Sequence, residues 1–191
     1  MRLFVGIELP DAARNAASRE ADRLRTRIER EAPRAVLRWV PSDNLHITLW
    51  FIGEVNDARA EDIRDAVSVP FAVPAFTLRV GGGGTFPPSG DPRAVWLGLV
   101  HGGDSLIAIY NELAARFAPL GFAPEKRPYS PHLTVARVKQ SKRRDAAVVR
   151  GALASAPAEI GACRITAVTL LRSRTSPKGS QYEALLRVPL A

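Results

Sequence analysis

One short motif occurs twice in this chain, and it limits the fold more than any other feature. Asn44-Leu45-His46-Ile47-Thr48-Leu49 resembles Ser130-Pro131-His132-Leu133-Thr134-Val135, both reading histidine, apolar, threonine, apolar. Each copy follows a proline-bearing turn, with Arg38 upstream of the first and Arg127 upstream of the second. The histidines stand 86 residues apart in a chain of 191, so the copies divide it into halves of similar content. Solenoid repeats recur at shorter periods. Two copies point instead to a duplicated, pseudo-symmetric fold whose halves face each other.

The spacing carries chemistry. Residues i and i+2 of a strand share a face. His46 and Thr48 therefore lie on one face, with Ile47 and Leu49 on the other, apolar one; His132 and Thr134 repeat the arrangement against Leu133 and Val135. Two such strands across a groove present two imidazoles and two hydroxyls to one ligand. Imidazole titrates near neutral pH, so one ring can take a proton from water while the other gives one to a leaving oxygen. Threonine hydroxyls can donate to non-bridging phosphate oxygens. One His-x-Thr is worth little, because any strand can contain it. Two matched copies using two of the three histidines weigh more. The competing reading is duplication without chemistry.

The charge balance agrees with a phosphate ligand. Lys and Arg outnumber Asp and Glu by 27 to 19, which favours polyanionic partners, although a solubility surface would look the same. At 46% hydrophobic and 24% charged residues the chain reads as one soluble globular domain over 1–191. Cys163 is the only cysteine, so neither an internal disulfide nor a cysteine-based zinc site can form. No paired histidines at ligand spacing appear either, and no metal or cofactor is expected. The N-terminus lacks the apolar core of a secretory signal, and no apolar run is long enough to span a membrane. The expected location is the cytoplasm, with no membrane contact and no obligate protein partner.

Strands are expected at 3–9, 37–40, 45–53, 76–80, 94–100, 131–138, within 159–171, and at 182–188. Helices are expected at 11–31, with Ala12, Ala16, Leu24 and Ile28 facing inward, at 57–67 capped by Asp57, at 103–119, and from Ser141. Short turns between several strands argue for an α+β architecture of antiparallel sheets with helices outside.

These residues resemble the 2H phosphoesterase superfamily, and most closely its RNA 2',3'-cyclic phosphodiesterase branch, historically called 2'-5' RNA ligase. The resemblance runs through Arg2-Leu3-Phe4-Val5-Gly6-Ile7-Glu8-Leu9-Pro10, Arg38-Trp39-Val40-Pro41 with the first motif, Phe51 to Val55, Gly84 to Pro87, Val95-Trp96-Leu97-Gly98, and Arg127 to Arg137. It implies a bilobal fold, two pseudo-symmetric lobes of antiparallel sheet facing a central cleft. It implies metal-independent hydrolysis of an RNA 2',3'-cyclic phosphate end to a 2'-phosphate, with weak reversible 2'-5' ligation in some members. It implies His46 as proton donor to the departing 3' oxygen and His132 as proton acceptor from water. The sequence alone does not separate these two roles. The substrate implied is an RNA end; the alternatives are a small nucleotide such as ADP-ribose 1'',2''-cyclic phosphate, or an RNA-binding module without turnover.

Other residues carry two readings each. Trp50 alternates onto the face of His46 and Thr48, where it would stack on a base; otherwise it covers the end of the sheet. Arg137 lies five residues after His132, an odd spacing that puts it on the wrong face unless a bulge intervenes, yet the resemblance implies a substrate-side arginine there. Arg127 and Tyr129 are substrate contacts or supports for the second motif. Leu170-Leu171-Arg172-Ser173 stands where the family often has Leu-Tyr-x-Ser, so an aromatic near the substrate is lacking. His101 has no threonine partner and reads as a loop histidine. Gly81 to Gly84 is no phosphate-binding P-loop and reads as a strand end or bulge. The basic run Lys139 to Arg144 is a solvated helix start or a contact to RNA backbone.

Overall fold

The computed structural model describes residues 1–176 and 179–191. In chain order the elements are β1 (Arg2–Glu8), α1 (Asp11–Glu31), β2 (Val36–Trp39), β3 (His46–Glu54), α2 (Asp57–Ser68), β4 (Phe76–Phe86) and β5 (Ala94–His101). Then follow α3 (Gly103–Phe117), β6 (Leu133–Gln140), α4 (Arg143–Ala154), β7 (Gly161–Ile165), β8 (Ala167–Ser176) and β9 (Gly179–Pro189). All ladders between these strands are antiparallel, so the α+β expectation holds.

The expectation of two separate sheets needs correcting. Hydrogen bonding runs through one sheet in the order β7-β4-β5-β6-β3-β1-β8-β9, with β2 added on β6. Its middle is held by a single pair, Ile47 opposite Leu133. Both residues are fully buried, so the two central strands meet through their apolar side chains and need little backbone pairing. On each side of this junction a helix joins two antiparallel neighbours: β1–α1–β3 on one, β5–α3–β6 on the other. Each helix packs beyond its own strands, α1 on α4 and β7, α3 on β3 and α2. One core lies between sheet and helices, joining Leu24 and Ile28, Ile63 and Val67, Leu106 and Phe117, and Val149 to Ile47, Leu97 and Leu133.

Several local expectations shift. The inward stripe of α1 is Ala13, Ala17, Glu20, Ala21, Leu24 and Ile28. Ala12 is exposed and Ala16 half-buried, because counting back from Leu24 in steps of three and four lands on Ala21, Ala17 and Ala13. The cap of α2 is Asn56, whose side chain accepts from the Arg59 amide at 2.9 Å. The basic helix begins at Arg143 rather than Ser141. Gly81 to Gly84 lies inside β4 with a register shift between Val80 and Gly83, the expected bulge. A Cβ on Gly84 would sit 2.3 Å from the Trp96 ring, so the indole lies directly on the backbone there.

Candidate active site

The Ile47–Leu133 pair centres the site. Carried one residue each way, its antiparallel register sets His46 beside Thr134 and Thr48 beside His132. Ile47 and Leu133 point into the core, so the four polar residues beside them share the opposite face.

Both imidazoles are anchored alike. The His46 Nδ1 lies 2.8 Å from the Asn44 carbonyl oxygen and the His132 Nδ1 lies 2.7 Å from that of Ser130, two residues upstream in each case. A carbonyl only accepts, so each Nδ1 carries the hydrogen and each Nε2 is left for chemistry. The His46 Nε2 stands 3.1 Å from the Thr48 hydroxyl. Rings brace each imidazole. Phe4 and Tyr182 lie 4.9 and 5.0 Å from His46, and Phe86 lies 4.8 Å from His132. Burial pushes both imidazolium pKa values down, and the Arg137 charge adds to this at both rings. The anchoring carbonyls pull the other way. Glu8, directly opposite His46 on β1, also favours the charged form of that ring; no acid acts on His132 in this way.

A bulge follows the threonine in both strands, and it decides what else enters the cleft. Gly6 pairs with Thr48 but Val5 with Trp50, leaving Leu49 as the extra residue of β3. Trp96 pairs with Thr134 but Val95 with Ala136, leaving Val135 as the extra residue of β6. Each strand therefore buries two residues running, Leu49 and Trp50 in one, Val135 and Ala136 in the other. Alternation then resumes out of phase. Arg137 returns to the cleft face, which resolves its odd spacing: it lines the groove with His46, Thr48 and Thr134. Trp50 goes the other way, and its expected place beside His46 is corrected. It is 5% exposed, stacked on Tyr110 at 5.1 Å and packed on Phe117. Phe51, 52% exposed, takes the cleft position in its stead.

Two cavities meet at Thr48 and Phe51. One, of about 690 Å³, contains His46, Thr48, Thr134, Tyr182 and Arg137. The other, of about 320 Å³, contains His132, Phe86, Tyr110, Tyr129 and Arg127. Tyr129 donates to the Thr48 carbonyl oxygen at 2.9 Å and stacks on Tyr110 at 4.4 Å, so it fastens the second motif's loop to β3. Burial pushes its phenol pKa up and keeps it neutral. Arg127 is exposed at the mouth of the smaller cavity. Leu171 is buried, and Tyr182, which pairs with Ser173, brings an aromatic ring to the cleft. His101 is exposed at the end of β5, outside both cavities. Of the basic run, Lys139 lines the larger cavity. Among the described residues no three His, Cys, Asp or Glu side chains cluster as a metal site would need, and no helix is long and apolar enough to cross a membrane.

Phe4, Phe51 and Phe86 lie in segments that carry the resemblance, but neither they nor Tyr182 were expected as site residues. Phe51 had a signal, the apolar doublet after each motif threonine, which breaks strict alternation. Tyr182 had none, because only the successive β3–β1, β1–β8 and β8–β9 pairings bring it to His46.

Comparison with known proteins fits this geometry. Residues 10–177 match the family model described as the 2'-5' RNA ligase superfamily. A protein of Methanothermobacter thermautotrophicus named RNA 2',3'-cyclic phosphodiesterase is 34% identical over 184 residues, 95% of each chain. One of the same name from Escherichia coli is 35% identical over 136 residues, 71% of each. Among solved structures, Thermus thermophilus TT0787 superposes with a TM-score of 0.78 at 25% identity, covering 100% of this chain and 98% of that one. Escherichia coli LigT complexed with 3'-AMP gives 0.75 at 28% identity, covering 99% and 97%. The chain belongs to the 2'-5' RNA ligase superfamily.

Proposed function

We propose that this protein hydrolyses RNA 2',3'-cyclic phosphate ends to 2'-phosphates, using His46 and His132 as an acid–base pair without a metal. The observation that carries this reading is the register about Ile47 and Leu133, which sets two His–Thr pairs on one face, where the two cavities meet at Thr48. The names of the relatives support the substrate class.

In this reading water attacks phosphorus in line with the P–O3' bond. The His132 Nε2 takes the water's proton as the new P–O bond forms. The P–O3' bond breaks, its electron pair stays on O3', and the His46 Nε2 gives O3' a proton. The product carries a 2'-phosphate and a free 3'-hydroxyl, and solvent exchange resets both rings. Thr48 and Thr134 donate to the non-bridging oxygens, and Arg137 neutralises the added charge of the pentacoordinate state. Glu8 opposite His46 offsets part of the lowering that burial and Arg137 impose on that ring, and the donor role given to His46 is the one implied by resemblance. By the same displacement a 5'-hydroxyl in the place of water, giving its proton to His132 as the P–O3' bond breaks, would form a 2'-5' linkage. The two strand–helix–strand halves about the junction read as one duplicated unit, the bilobal plan, acting as a single domain over 1–191.

The test is turnover of an oligonucleotide ending in a 2',3'-cyclic phosphate, with product mapping. His46→Ala and His132→Ala should each lose about 10²- to 10⁴-fold in kcat while melting as folded proteins, and EDTA should leave the wild-type rate unchanged. Retained activity in both variants would overturn the reading, and a 3'-phosphate product would overturn the assigned leaving group.

A further inference from the structure

We propose that the larger cavity continues from His46 as a track for the backbone phosphates on the 5' side of the cyclic end. The enzyme then prefers an oligonucleotide end over a cyclic mononucleotide. This rests on the phosphodiesterase reading and adds the side, the residues and the length dependence of substrate binding.

The first observation is charge without counter-charge. Arg2, Arg38, Arg93, Arg137 and Lys139 line this cavity, and no Asp or Glu does. Among the described residues none of the five makes an ion pair. Elsewhere arginines find carboxylates readily: Arg23 with Glu20, Arg25 with Glu29, Arg116 with Glu112, Arg187 with Glu8. The acids of the chain are spent away from the groove.

The second observation is that the fold forces these cations together. Arg38 stands directly opposite Arg137 in the β2–β6 ladder, and Ala94 stands opposite Arg137 from the other side, which brings Arg93 to the same corner. Like charges directly opposite on neighbouring strands are destabilising. The arrangement is kept where several anions offset it. One cyclic phosphodiester carries a single negative charge, which Arg137 alone can meet; five cations suit a chain of phosphates.

The third observation fixes the side. The ribose holds O3', so it lies on the leaving-group side of phosphorus, and the attacking water lies opposite. The rest of the RNA hangs from that ribose through its O5'. The strand must therefore run on the side of the acid. The cationic cavity is the one lined by His46, whereas the cavity lined by His132 is aromatic and sets Glu125 against its one arginine, Arg127. Charge distribution thus places the strand beside His46 and water beside His132, independently of any resemblance. Phe51 and Tyr182 on the groove wall supply faces on which bases can stack.

The experiment compares a 2',3'-cyclic mononucleotide with short oligoribonucleotides bearing the same end, across a potassium chloride series, in the wild type and in Arg38→Ala, Arg93→Ala and the double variant. Wild-type kcat/KM should be at least tenfold higher for the oligonucleotide and should fall more steeply with salt, by about 0.7 in log–log slope per phosphate contacted. Each arginine variant should remove about 0.7 of that slope and several-fold of oligonucleotide kcat/KM, with the mononucleotide's salt slope as in wild type. Equal kcat/KM and equal salt slopes for the two substrates in wild type would overturn the track. If neither substrate is turned over, the phosphodiesterase reading fails, and the track is read by anisotropy of a labelled oligonucleotide ending in a 2'-phosphate. Salt-sensitive binding weakened by both arginine variants then upholds it; binding no tighter than that of the mononucleotide overturns it.

Discussion

Replacing Gly6 by alanine tests how rigidly β1 holds His46. Gly6 pairs with Thr48, two residues along β1 from Glu8, which faces His46. A Cβ there would lie 2.8 Å from the Ile47 carbonyl oxygen and 3.5 Å from His46 Cδ2. The first contact falls about 0.6 Å short of the 3.4 Å at which ordinary contact begins, and its partner is backbone, which cannot swing aside. The strands must part. Overpacking of this kind costs about 1–3 kcal/mol. For a chain of this size that lowers Tm by roughly 2–12 °C. The imidazole moves with β3. Misplacing a reacting group by about 1 Å can cost about 10²-fold, so a shift of roughly half that should cost about tenfold in kcat. Cyclic-phosphate turnover and a thermal melt read both effects. Gly151→Ala is the control: it is exposed in α4 with nothing near its Cβ, and should gain about 0.5–1 kcal/mol at unchanged rate. Gly6→Ala with wild-type Tm and kcat would refute the claim that β1 sets the position of His46.

Trp50→Ala should destabilise by about 3–5 kcal/mol, because Trp50 is core; Phe51→Ala should melt as wild type and raise KM for oligonucleotides by about tenfold, because Phe51 is a cleft surface; the reverse pattern would mean the β3 bulge is misplaced. Both imidazoles hold their folded pKa below 6.5, so the unfolded chain binds more protons just below that pH. Their contribution to stability is complete above pH 6.5 and is lost as pH falls through the folded values, so Tm should drop on acidification, and less in a His46→Gln, His132→Gln double variant. The kcat/KM profile should be bell-shaped with its maximum below 6.5, and a maximum well above neutrality would contradict these environments.

The pair of motifs was legible in the sequence because period-two alternation is local: His46 with Thr48 and His132 with Thr134 share faces whatever the rest of the chain does. The α+β class and most elements were legible for the same reason, from apolar spacing and proline punctuation. Trp50 and Arg137 were not. Their faces depend on one extra residue in each strand, and that insertion exists only relative to the partners β1 and β5. The rings that brace the histidines come from β1, β4 and β9, brought together by pairing across more than a hundred residues in the case of Tyr182 and His46. The same holds for the joining of the two halves into one sheet, through Ile47 opposite Leu133 and through the β2–β6 ladder. Sequence determined which groups could do the chemistry, because local geometry sets which side chains are neighbours along a strand. Tertiary structure decided which side chains stand opposite them, because register across strands is set by packing and not by any one segment.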